Sequence, residues 1–182
     1  QTMNGSTFHI LVIDNATGAS MLSDETVDDS LILTSGGFFI GAHTLTLNGI
    51  LSIGSGSLVG GSVSNIVVGG VGASTTLPAI TVNNLTLNRA SGDSLGGDVG
   101  INGTLAITTG TLWTGAHSVI LGSSGTLSEA AGHPVVGNVR TTRGVAGTSG
   151  TEAFGNIGAE IVLNGTSLGS TTVLRKTGTA ST

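Results

Sequence analysis

The chain has 182 residues, among them 32 glycines, with 38% hydrophobic, 8% charged and 3% aromatic residues and a formal net charge of −5. Five basic residues, Arg89, Arg140, Arg143, Arg175 and Lys176, make no stripe along a phosphate backbone, so no nucleic-acid partner is expected. No apolar run approaches the roughly 18 residues of a membrane span, and the lack of cysteine removes disulfides, thiol catalysis and cysteine-type zinc sites together.

The length suits one domain, or one domain with a smaller module. The chain opens on Gln1, which fits a processed mature protein or an excised fragment, and "QTMNGST" leads into the first expected strand. From there apolar positions recur with a period of about 20 residues, a repeat length at which stacked coils are expected. Leu11, Leu31 and Leu51 form one series; Ile13, Leu33 and Ile53 a second; Val27, Leu47 and Val67 a third. Further along, Leu85 pairs with Leu105, Leu87 with Ile107 and Leu127, Val99 with Val119, and Ile101 with Leu121.

Within each run the apolar residues alternate, as in "TLTLNG" at 44–49, which is the period of a strand. Glycine or polar pairs interrupt too often for a helix. Short strands at a 20-residue repeat predict an all-β, parallel β-solenoid. About six coils over residues 8–130, stacked at about 4.8 Å, would make a rod about 30 Å long. Inward aliphatic ladders would alternate with outward threonine, serine and asparagine, and helix content would be near zero.

A longer duplication overlies the coils. Residues 11–49 and 85–123 align without a gap at an offset of 74, with 12 of 39 positions identical, including Gly18/Gly92, Asp24/Asp98, Gly36/Gly110 and the Gly-Ala-His turns at His43 and His117. Since 74 is not a multiple of 20, a short coil or a bulge is expected within 51–84, with "GGVGASTTLP" at 69–78 the favoured place. Beyond Ala130 the spacing lapses. Residues 1–130 are therefore read as the solenoid and 131–182 as a β-rich cap or partial β-module.

"NNLTLNRASGDSLGGDVGINGTLAITTGTLWTGAHSVILGSSGTLS" at 83–128 resembles the repeats of secreted adhesin-like β-solenoid proteins from bacteria with type IX secretion. "VVGNVRTTR", "TEAFGNIGAEI" and "STTVLRKTGTA" resemble the segment that follows the solenoid in the same proteins. The resemblance implies an extracellular or cell-surface location and a structural or adhesive role, with no catalytic apparatus to carry over. It also implies an Asp-Ser-aliphatic acceptor for O-glycosylation, matched by "DSL" at Ser30 and Ser94.

Other candidates weigh less. His43 and His117 are several coils apart, too far to share a metal; His9 and His133 are isolated. Asp24, Glu25, Asp28 and Asp29 crowd oxygens that could hold calcium, but the second copy replaces most of them, and a solvated turn is expected. Carboxylates sit mainly in turns and there is one tryptophan, which disfavours a glycan-cleaving enzyme. Thr44 and Thr46 suggest an ice-binding Thr-x-Thr face, yet the second copy has Val119 and Ile120 after Ser118, which weighs against it.

The expected function is that of a non-enzymatic extracellular building unit of a fibre or surface scaffold. It would self-assemble through exposed β-edges at residues 1–10 or 165–182 and need no cofactor or metal. The alternative is an adhesin repeat that binds carbohydrate or protein; an ice-binding module or a carbohydrate-active enzyme ranks lower.

Overall fold

The computed structural model describes residues 1–178, and within them every regular element is a strand. The strands stack in parallel as a seven-coil β-solenoid. Most coils carry three strand segments: the third has Thr44–Leu47, Ile50–Ile53 and Ser57–Val59, and the fifth has Asn84–Asn88, Asp93–Leu95 and Val99–Ile101. At about 4.8 Å per step the stack is about 29 Å long.

The first side of each coil joins one continuous sheet from Thr7–Asp14 to Thr126–Glu129. Its inward positions build two ladders. One runs Glu25–Leu45–Ile66–Leu85–Leu105–Leu127 and the other Val27–Leu47–Val68–Leu87–Ile107–Glu129. The other sides add Leu11–Leu31–Leu51, Ala19–Phe38–Leu58 and Ile80–Val99–Val119–Val139. Leu31, Leu33, Leu47, Leu105, Ile107 and Leu121 are each no more than 1% exposed, as the 20-residue series predicts.

Two of the predicted pairings shift. Val67 stacks on Thr46 and faces outward, while Val68 takes the inward place over Leu47, because this step is one residue longer than the step before it. Leu127 stacks on Leu105 rather than Ile107, because the Gly122–Gly125 turn makes that step longer than the one from Leu85 to Leu105. The outward positions of the same side form two more ladders, Thr44–Asn65–Asn84–Thr104–Thr126 and Thr46–Val67–Thr86–Ala106–Ser128.

No short coil accounts for the offset of 74. Val27 reaches Ile107 through Leu47, Val68 and Leu87, and no step departs from the regular period by more than a single residue. The unit the duplication counts is the side, a third of a coil. Leu11 lies on the second side of the first coil and Leu85 on the first side of the fifth, eleven sides later. The copies are therefore rotated by one side around the rod, and Leu31 and Leu105 belong to different ladders.

The two copies conserve a stacked corner. Gly18 N–H donates to Asn15 O at 2.7 Å and Gly92 N–H to Arg89 O at 2.8 Å. Gly36 and Gly110 lie directly over those two carbonyls with φ of 71° and 84°, where a Cβ would collide with them. Phe39 covers Gly18 and Trp113 covers Gly92 in the same way.

The irregular stretch does fall at 69–75, where the chain leaves the wall and no strand covers Ile50–Ile53. Thr75 Oγ1 substitutes for it, accepting Leu51 N–H at 2.9 Å and donating to Leu51 O at 3.3 Å.

Parallel stacking continues past residue 130. In Val135–Val145, Val139 stacks on Val119 and Thr141 on Leu121, completing a seventh coil. The region supplies its own closing strand, since Gly169–Thr177 pairs antiparallel with Val135–Val145.

Candidate functional site

The acidic residues Asp24, Glu25, Asp28 and Asp29 do not converge. Asp24 Oδ1 accepts Thr44 N–H at 2.7 Å, at the start of a strand in the next coil, and its counterpart Asp98 accepts Ser118 N–H at 2.8 Å, inside the strand Leu112–Leu121 of the coil after it. Glu25 points inward, 1% exposed, and its Oε2 accepts Ser6 N–H at 2.7 Å. Asp28 accepts from Asn48 Nδ2 at 2.8 Å. Among the described residues no cluster of three His, Asp or Glu side chains could hold a metal ion.

The histidines are dispersed as well. His43 Nδ1 lies 3.9 Å from Asp24 Oδ1, and His133 Nδ1 accepts Gly110 N–H at 3.0 Å. His43 precedes a strand of the first side, whereas His117 precedes the third-side segment that stacks on Val99–Ile101. Ser30 and Ser94 are both half-buried. Ser30 Oγ donates to Asp29 Oδ2 at 3.3 Å, and Ser94 Oγ shares a hydrogen bond with Thr76 Oγ1 at 3.0 Å. Their flanking aspartates differ in kind, since Asp29 is exposed and Asp93 is fully buried.

Asp93 belongs to an internal clamp with Arg89, which is also fully buried. Arg89 sits where the wall is interrupted. Its Nε donates to Gly69 O at 2.7 Å, Nη1 to Ala73 O at 3.0 Å, and Nη2 to Leu47 O and Gly49 O at 2.9 and 2.7 Å. Turn carbonyls that face the interior need donors, and one guanidinium fork supplies four of them across two coils. Asp93 Oδ1 lies 3.6 Å from Arg89 Nη1 and accepts Thr75 N–H at 2.5 Å. Burial raises the Asp93 carboxyl to about 6, against the downward pull of the Thr75 N–H and the Arg89 charge. Burial likewise lowers Arg89, with Asp93 opposing it. In the sequence the sign of this clamp is that Arg89 and Asp93 stand where the first copy has Asn15 and Ala19.

The two ends of the rod differ. At the C-terminal end Phe154 and Ile157 are buried, Leu127 N–H donates to Gly155 O at 2.8 Å, and Arg143 Nη2 donates to Gly125 O at 2.7 Å. Arg175 fastens the closing strand through two 2.7 Å hydrogen bonds to Glu129. Burial pushes the Glu129 carboxyl up, but Arg175 and the Val135 N–H outweigh it and hold it below its ordinary value. At the N-terminal end Thr7–Asp14 is the outermost strand of its sheet, beside a shallow concavity lined by Met3, Phe8, Leu11 and Ile13. Among the described residues, neither the outer edge of Thr7–Asp14 nor that of Gly169–Thr177 pairs with another strand.

These features define a parallel β-solenoid with an unpaired strand edge toward each end among the described residues, an apolar plug over Thr126–Glu129 and a buried ionic clamp between its halves. No family model, curated protein or solved structure matches the chain.

Proposed function

We propose that the chain is a non-enzymatic extracellular structural protein, a building unit of a fibre or surface scaffold. The observation that carries this is the pair of unpaired strand edges toward opposite ends of the rod, Thr7–Asp14 and Gly169–Thr177. An open edge is a template for pairing, and joining two different edges is a heterologous contact that grows without closing. The resemblance of residues 83–128 to secreted repeat proteins supports the extracellular setting. Residues 179–182, part of the expected joining segment, lie outside the described residues.

An adhesive role for the same rod is favoured by Trp113, whose indole lies across Gly92 and stays 43% exposed, a surface on which a sugar ring could stack.

Negative-stain electron microscopy and sedimentation test the fibre. Filaments are expected for the parent chain. They should be lost in Ile10→Lys and Leu174→Lys, which place charges on the two edges at side chains already 51% and 58% exposed. A parent chain that stays monomeric at high concentration refutes the fibre reading.

A further inference from the structure

At the offset of 74, Thr44 and Thr46 correspond to Ser118 and Ile120. Since the copies are rotated by one side, those two residues lie on a different side of the rod. The residues that do stack over Thr44 and Thr46 are Asn65 and Val67, then Asn84 and Thr86.

Down this side, from the third coil to the seventh, the two outward ladders hold only threonine, asparagine, serine, alanine and valine, with no charge and no ring. Rows repeat at about 4.8 Å along the rod, and the two columns stand about 6.6 Å apart, two residues along each strand. In the first column four side chains are tied to one another in two pairs. Asn84 Nδ2 donates to Asn65 Oδ1 at 2.8 Å, and the Thr104 and Thr126 hydroxyls share a hydrogen bond at 3.1 Å. Threonine and valine are moreover stiff at χ1. The third-side outward ladder, Thr81–Gly100–Ile120–Arg140, shows no such regularity and ends in a charge.

We infer that this surface binds ice. A site periodic in two dimensions matches a ligand periodic in two dimensions, and both spacings are of the order of the repeats on the faces of hexagonal ice. A soluble sugar or peptide needs a pocket or an aromatic platform, and neither is present on this side. Charged groups would hold liquid-like hydration shells. Here hydroxyls and amides anchor lattice water at fixed intervals while the threonine and valine methyls fill the spaces between. The inference does not depend on fibre formation.

The test is ice-recrystallisation inhibition together with partition of the fluorescently labelled chain into slowly growing ice. The parent is expected to inhibit recrystallisation and enter the ice. The double variant Thr46→Lys/Thr86→Lys should lose both activities with its melting temperature retained, and Thr81→Lys, on the third side, should keep them. A parent chain no more active than an inert globular control overturns the inference. So does equal loss in Thr81→Lys, or retention on crystalline cellulose or chitin without any effect on ice.

Discussion

Replacing Arg89 with methionine keeps most of the side-chain volume and removes the donor fork. Two costs follow. Asp93 becomes a fully buried carboxylate without its counter-charge, and breaking a buried pair from one side costs about 3–5 kcal/mol. Of the four carbonyls, Leu47 O keeps the Gly69 N–H, while those of Gly49, Gly69 and Ala73 lose the donor that Arg89 supplies, at about 1 kcal/mol or more each. The two costs overlap, so the expected total is about 4–8 kcal/mol. At about 2–4 °C per kcal/mol for a chain of this size, the melting temperature should fall by at least about 8 °C. Urea unfolding followed by far-ultraviolet circular dichroism reads the free energy. Adding Asp93→Asn to Arg89→Met should recover about 2 kcal/mol by removing the lone charge. A single variant within about 1 kcal/mol of the parent would refute the clamp.

Three further outcomes are expected. Asp93, near 6 when folded and near 3.8 when unfolded, binds its proton more tightly in the folded chain. The stability it contributes is therefore fully present below about pH 4 and lost as pH rises through 6, a swing of about 3 kcal/mol. Asp93→Asn removes that swing, so the stability difference between parent and variant, measured by urea unfolding from about pH 4 to 7, should change by this amount. Leu105→Asp places a charge between Leu85 and Leu127 in a fully buried ladder position, and a loss of several kcal/mol, or insoluble protein, should follow. Phe154→Ala empties the plug of the C-terminal end and should cost about 3–5 kcal/mol; hydrogen exchange should then quicken first in Thr126–Glu129, the strand that the plug covers.

The 20-residue spacing of Leu11, Leu31 and Leu51, with alternation inside each run, determined the fold class, because equivalent inward positions must recur wherever identical coils stack. It also determined that the chain has a solvent-facing set of threonines and asparagines, since a period of two assigns every second residue outward. What the chain could not reveal by itself was which side a residue belongs to. Side identity depends on the running sum of coil lengths, and small changes at the Val67 step and the Gly122–Gly125 turn are invisible in a hydrophobic pattern that tolerates them. Only the assembled rod shows that the offset of 74 spans eleven sides, which separates Leu31 from Leu105 and aligns Thr46 with Thr86. The Arg89–Asp93 clamp was likewise a tertiary decision. Four positions apart in the sequence, the pair has a purpose only because the 69–75 excursion leaves inward carbonyls from two other coils in need of donors.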